Sequence, residues 1–267
     1  MTDKPGPVAG GDMKSALVVQ LRVIGALVLR ETRSRFGRSQ LGYLWAIAEP
    51  LSYVILFSLI ISSMGRHPPF GPDSALFFAT GILPYFLFSN LVRSVSAAFD
   101  ANEALLTYPI VKPIDTLFAR GALELATSGL VMIVMFTGLT IVNRVPGPAN
   151  MPVLAAAMLG LALLGFGVGA VNAVMGRLFS SWRQIYDTAT RPLMLVSAVF
   201  FTLDSLPSSI RDAVAMIPVA HGVELFRAGY YSNYHSTAVD AGYLLASGLV
   251  LSLMGLAAER AIRMRGA

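Results

Sequence analysis

The sequence predicts an all-α polytopic membrane protein, with six transmembrane helices, an N-terminal amphipathic interfacial helix and extracytoplasmic half-helices before the last span. Three observations lead there. Of the 267 residues, 55% are hydrophobic and 13% are charged, with a mean hydropathy of +0.66, whereas soluble domains carry about 25% charged residues. The apolar residues fall in blocks close to the ~20-residue helical span of a bilayer. Lysine and arginine gather in alternate connecting segments, as retention of positive loops in the cytoplasm requires.

The first twelve residues, MTDKPGPVAGGD, are rich in Pro and Gly and hold no apolar core. Residues 1–12 are therefore expected to be a flexible cytoplasmic tail, not a signal peptide. Over 13–38 a helical wheel puts Arg22, Arg30 and Arg33 on one side and Leu17, Leu21, Ile24 and Val28 on another, the pattern of a helix lying in the membrane interface. Residues 39–267 form the six-helix transmembrane domain.

The spans are placed at 41–63, 75–97, 114–142, 152–178, 186–203 and 240–259, separated by segments rich in Pro, Gly, Asp and Asn that break helices. The fifth is the weakest. Its apolar run from Pro192 to Leu203 covers only about 18 Å at ~1.5 Å per residue, so the helix must reach back through Tyr186, Asp187 and Arg191. Polar residues there require a wet or protein-lined face. In the fourth block Gly165 and Gly169 form a GxxxG, which permits close helix packing.

Sixteen of the twenty basic residues fall on one side of this arrangement, and only Arg66, Arg144, Arg211 and Arg227 on the other. Both termini are therefore expected in the cytoplasm. The pI near 9.7 follows from that topology and from acidic lipid; no nucleic-acid motif accompanies it, so no nucleic-acid partner is expected. The chain has no cysteine, which excludes disulfides and thiolate chemistry. His67, His221 and His235 lack metal-ligand spacing, and no GxxxxGK[ST] phosphate loop occurs. No catalytic residue, metal site or cofactor of its own is therefore assigned, and uphill transport would draw on a partner or an ion gradient.

Four places carry candidate functional residues. In RETRSRFGRSQLGYLW, Arg33, Arg35 and Arg38 immediately precede Tyr43 and Trp45. These are either lipid anchors with an ordinary interfacial aromatic belt, or the entrance for an anionic sugar chain, with rings to cover pyranose faces and guanidinium groups to bind carboxylate or phosphate. Glu49 lies about eight residues into the first span beside Pro50. An acid there needs a partner or water, and the pair reads either as a structural kink or as part of a substrate pathway. In FDANEALLTYPIVKP, Asp100 and Glu103 have the spacing of a capping box, and Tyr108-Pro109 ends the helix after about two turns. This is either a surface turn or a short helix that offers Leu105 and Leu106 to a groove on a cytoplasmic motor domain. Lastly, PSSIRDAVAMIP and HGVELFRAGYY, split by Pro218, are each half a span long. Such segments sit at membrane depth only against protein or a water-filled cavity. Pro218 offers a corner and Gly222 backbone freedom, so Pro218, His221 and Gly222 are read as an extracytoplasmic gate.

The string RETRSRFGRSQLGYLWAIAEP resembles the N-terminal signature of permeases in type-2 ATP-binding-cassette exporters, in the branch that exports capsular polysaccharide and its O-antigen and teichoic acid relatives. The resemblance implies a homodimeric permease of the bacterial inner membrane, served by two separate ATPase subunits that carry ATP and Mg. It makes the short helix after the second span the coupling helix. It further implies a lateral sugar pathway for an acidic, lipid-linked glycan, contact with membrane lipid, and handover to periplasmic and outer-membrane export proteins. The readings that stand against it are a membrane enzyme or scaffold acting on lipid-linked sugar and, within transport, a passive channel or a drug exporter.

Overall fold

The computed structural model describes the backbone of residues 13–36 and 41–265, and the side chains of 17–33 and 44–264; the expected tail, 1–12, lies outside them. The described chain is all-helical. In order it forms α1 (Met13–Phe36), α2 (Leu41–Ser63), α3 (Ser74–Ser96), α4 (Ala98–Ala101), α5 (Pro113–Asn143) and α6 (Met151–Leu178). There follow α7 (Trp182–Thr190), α8 (Leu193–Val196), a 3₁₀ turn (Leu203–Ser205), α9 (Ser208–Ala215), α10 (Pro218–Tyr230) and α11 (Ala241–Arg265). Five of these, α2, α3, α5, α6 and α11, are long and apolar enough to cross a membrane. They fall on the blocks expected at 41–63, 75–97, 114–142, 152–178 and 240–259.

The bundle is built around α3. Asp73 caps its first turn by accepting from Leu76 N at 2.6 Å, and the other carboxylate oxygen accepts from Asn143 Nδ2 at 2.9 Å, tying the end of α5 to the start of α3. Phe77, Ile82, Leu87 and Val95 along α3 are wholly buried. Helix α6 packs against it with little between the backbones: a Cβ on Gly165 would stand 2.9 Å from Phe88 O, and one on Gly169 2.7 Å from Val95 Cβ. The expected GxxxG thus does face a neighbouring helix. On its other side α6 carries α11, where Ser252 Oγ donates to Leu163 O at 3.1 Å. By contrast α2 is mostly exposed, with Leu51, Ile55, Leu56, Leu59 and Ile60 open.

Helix α1 lies across the start of α5. Gln20 Nε2 donates to Asp115 at 2.9 Å, Arg120 pairs with Glu31 at 3.1 Å, and Arg30 donates to Asn102 Oδ1 at 2.8 Å. Arg30 is therefore held by protein instead of standing with Arg22 and Arg33 as a free basic face. Leu17 and Leu21 remain exposed, while Ile24 and Val28 are half-buried.

Two expected elements differ. The fifth block, 186–203, is not a continuous helix: it breaks into α7 and α8 and then runs irregularly to the 3₁₀ turn. Pro192 supplies no backbone donor, and Ala198 takes a left-handed φ of 57°. The chain nevertheless runs alongside α3, since Arg183, just before the block, reaches Asp100 beyond the end of α3 at 3.1 Å, and Val199 O rests against Gly81, about a third of the way along α3. The second difference is the segment after α3. The capped two-turn helix expected from Asp100 and Glu103 is absent; four residues, Ala98–Ala101, are helical and turns follow to Val111. Asn102 is the cause. Its Nδ2 donates to Ala98 O at 2.9 Å, a side-chain bond that competes with continuation of the helix, and Asp100 points to Arg183 instead of capping.

Candidate functional site

A cavity of about 780 Å³ lies between α2, α3, α6 and α7. Periodicity places its walls. On α3, Tyr85, Ser89 and Arg93 recur every four residues, and on α7 Trp182 and Tyr186 do the same, so each set shares one helix face. Glu49 and Tyr53 from α2 complete the wall. The edge of Tyr53 meets the ring of Phe86 with centroids 5.4 Å apart, and Trp182 Nε1 donates to Asn172 Oδ1 at 3.0 Å. At the rim the exposed pair Arg183 and Asp100 joins α7 to the segment after α3. Aromatic faces beside guanidinium, carboxylate, amide and hydroxyl groups suit a polyhydroxylated ligand that is held by many weak contacts. Among the described residues no group of His, Asp or Glu could hold a metal.

A second cavity of about 480 Å³ lies on the other side of α2, bounded by α2, α3 and α5, and a third of about 420 Å³ continues toward α1. Arg93 borders all three, and Glu49 borders the first two. Among the described residues Arg93 makes no ion pair.

The expected entrance residues are only partly brought together. Glu49 lines two cavities and Trp45, 73% exposed, lines the second. Arg33 is exposed on α1 and lines none of the three. Arg38, together with the side chains of Arg35 and Tyr43, lies outside the described residues. In the segment after α3, Asp100 lines the first cavity and Glu103 is exposed. Leu105 and Leu106 are half-buried, with Leu106 packed against the core. The open apolar side chains there are Tyr108 and Ile110, 59% and 63% exposed. Of the residues that were missed, Tyr85, Ser89 and Arg93 carried a signal in their four-residue spacing, as did Trp182 with Tyr186, whereas Arg183 carried none. Tyr186, Asp187 and Arg191 do line the cavity, which agrees with the protein-lined face expected of them.

At the other end of α3, α9 and α10 form two packed helices separated by Met216 and Ile217. His221 is buried: Asp240 N donates to its Nδ1 at 3.0 Å, and its Nε2 meets Ala215 O at 2.7 Å. With Nδ1 accepting, Nε2 carries the proton and donates, so the ring ties α9, α10 and the start of α11 together. Gly222 gives closeness here, not freedom, because a Cβ would stand 2.3 Å from Leu161 Cδ2. Pro218 occupies the first turn of α10, where a missing donor costs nothing.

One turn further along α10, Arg227 is wholly buried. Its guanidinium donates to the carbonyls of Ala198, Val199 and Phe201 and to Glu224 Oε1 at 3.2 Å, and stacks over Phe77 with 4.3 Å from Cζ to the ring centroid. Glu224 also accepts from Leu203 N and from the Tyr234 hydroxyl. This cluster takes up the carbonyls left by the break after α8.

The family model described as ABC-2 type transporter matches residues 22–231, from within α1 to the end of α10, and so takes in the cavities and the buried cluster. The chain belongs to the ABC-2 type transporter family. Among individual proteins it is similar to the capsule polysaccharide export inner-membrane protein CtrC of Neisseria meningitidis serogroup A, 33% identical over 242 residues and 91% of each chain. It is also similar to the polysialic acid transport protein KpsM of Escherichia coli, 32% identical over 92% of this chain and 96% of that one. The third is BexB of Haemophilus influenzae, a capsule polysaccharide export inner-membrane protein, 30% identical over 91% of this chain and 92% of the other. As an ABC-2 chain it is a transport subunit, and its first cavity, opening beside the exposed helix α2, is the place to look for a passage.

Proposed function

We propose that this chain is the inner-membrane permease subunit of an ATP-driven exporter that moves capsular polysaccharide, acidic and lipid-linked, out of the cytoplasm. The observation that carries the reading is the likeness to CtrC over nine-tenths of both chains. The first cavity supports it, because rings and guanidinium groups alternate along its walls in the way an acidic sugar chain needs. In this reading the exposed face of α2 meets a second copy of the chain, and two first cavities combine into one path. The segment 182–203 makes the sixth crossing. Beside α3 it covers the stretch from Gly81 to Ser96, about 22 Å at ~1.5 Å per residue, and the ~30 Å hydrocarbon layer leaves little more to cross. Both termini then lie in the cytoplasm with the basic loops, α1 lies at the interface, and α9 and α10 form half-helices that close the outer end.

Two cytoplasmic ATPase subunits, with their own ATP and Mg, dock on the segment 98–111 and change the packing of the two copies. Periplasmic and outer-membrane proteins receive the glycan. Deletion of the gene in its own bacterium tests this directly: capsular polysaccharide should accumulate inside the cell, and plasmid-borne chain should restore it to the surface. Normal surface capsule in the deletion strain overturns the assignment.

A further inference from the structure

The second cavity changes character along its length. One end holds Asn90, Arg93 and Glu49; the other is lined by Leu83, Leu87, Val131 and Met132. From Leu83 to Arg93 along α3 is about 15 Å at ~1.5 Å per residue, half of a ~30 Å hydrocarbon layer, so the cleft is one leaflet deep. A polar mouth above an apolar shaft of that depth matches one lipid and not a sugar chain. The mouth carries both signs of charge. Arg93 has no ion pair among the described residues, and Glu49 is exposed. Of the remaining polar groups, Thr127 donates to Leu123 O in its own helix at 2.9 Å, Ser128 is buried, and Glu124 is buried with interactions of its own. Among the described residues a ligand therefore meets one cation and one carboxylate that make no ion pair, Arg93 and Glu49. The chain's two tryptophans divide between the first two cavities, Trp182 in the first and Trp45 in the second.

We propose that this cleft binds one membrane phospholipid with a primary-amine headgroup, its phosphate on Arg93, its ammonium on Glu49 and one acyl chain against Leu83, Leu87, Val131 and Met132. A guanidinium binds phosphate oxygens with paired donors, and a primary ammonium, unlike a trimethylated one, donates hydrogen bonds to the carboxylate. The proposal concerns resident lipid and does not depend on what the chain exports.

The test uses the full chain with Trp182→Phe, so that Trp45 alone reports, reconstituted in phosphatidylcholine vesicles doped with one brominated-chain lipid at a time. Brominated phosphatidylethanolamine should quench Trp45 severalfold more per mole than brominated phosphatidylcholine, up to about fivefold, the upper worth of one exposed ion pair, here Glu49 with the primary ammonium. Glu49→Gln should bring the ethanolamine lipid down to the level of the choline lipid, whereas Arg93→Gln should weaken all three and leave the ethanolamine lipid above the choline lipid. Both variants are isosteric or shorter and stand at the cleft's open mouth; their retention of the unquenched Trp45 spectrum reports folding. Quenching in proportion to mole fraction for every headgroup overturns the proposal. So does a preference for phosphatidylglycerol in the otherwise unmodified chain, which would give the cleft to an anionic lipid such as the lipid end of an exported glycan.

Discussion

Gly81 and Arg227 share one space. A Cβ on Gly81 would stand 2.7 Å from Arg227 Nη2 and 2.6 Å from Val199 O, so the absence of a side chain on α3 is what lets the guanidinium reach the carbonyls of the broken segment. Gly81→Ala should therefore destabilise the protein by about 1–3 kcal/mol, the usual cost of overpacking. Gly129→Ala, on a helix face with nothing within 4 Å, should be neutral or stabilising by up to ~1 kcal/mol. Thermal unfolding of the two variants in detergent compares them, and equal midpoints would remove the packing argument.

Removing the cation itself should cost more. Arg227→Met leaves Glu224 buried without its cation and three carbonyls without a donor, a loss of about 3–5 kcal/mol. Arg227→Lys should recover only part, because an ammonium has three donors and no planar fork to span the separate carbonyls. Adding Glu224→Gln to Arg227→Met should recover some stability, since the uncompensated charge is then gone. Fluorescence-detected unfolding midpoints of the single and double variants would check the order.

In the segment after α3 the proposed docking role can be tested apart from folding. Leu106→Asp should lower the yield of folded protein, because the side chain packs against the core and a buried unpaired charge is costly. Tyr108→Asp and Ile110→Asp, on exposed side chains, should leave the yield unchanged while lowering copurification of the partner ATPase. Full copurification with both exposed variants would remove this surface from the docking role.

The rim pair Asp100 and Arg183 is exposed, so its contribution to stability should be well under about 1 kcal/mol. Its position at the mouth of the first cavity makes charge the more telling variable. Asp100→Arg should reduce surface capsule severalfold with normal protein level, and the exchange Asp100→Arg with Arg183→Asp should restore most of it. Immunoassay of surface polysaccharide is the readout.

The proposed topology gives a labelling test that the lack of native cysteine makes clean. Met216→Cys, at an exposed site between α9 and α10, should react with a membrane-impermeant maleimide added to intact cells whose outer membrane has been opened. Tyr108→Cys should react only after the inner membrane is broken. Val223→Cys should stay unlabelled in both cases, because Val223 is buried. The opposite pattern for the first two would invert the orientation.

The long helices were legible because length and hydropathy are properties of a segment by itself: the ends of α2, α5 and α6 fall within a residue of the blocks read from the sequence. What was not legible depends on distant partners. Nothing local to 186–203 announces that Arg227, at least 26 residues onward, will take three of its carbonyls out of helical bonding. In the same way Asn102 ends the helix that Asp100 and Glu103 were expected to cap, through a side chain steadied by Arg30 on α1. Gly222 reads as freedom in one dimension and proves to be closeness in three. The first cavity drew only Glu49, Asp100 and the polar run 186–191 from sequence reasoning, since Arg93 and Tyr85 sit within an apolar block whose period of four was not followed.

Arg227 stands among the four basic residues on the sparsely charged side, and its burial has a consequence for how the chain is made. In the proposed topology this arginine must end up beyond the hydrophobic layer; it resists transfer, and a nascent chain has no finished fold to hide it. Here Phe201, Val199 and Ala198 precede it by 26, 28 and 29 positions, so synthesis delivers the acceptors before the donor. The residue hardest to transfer thus emerges when its partners already exist, and a circular rearrangement of the chain that placed α10 ahead of α8 would lose that order while keeping every contact of the finished protein.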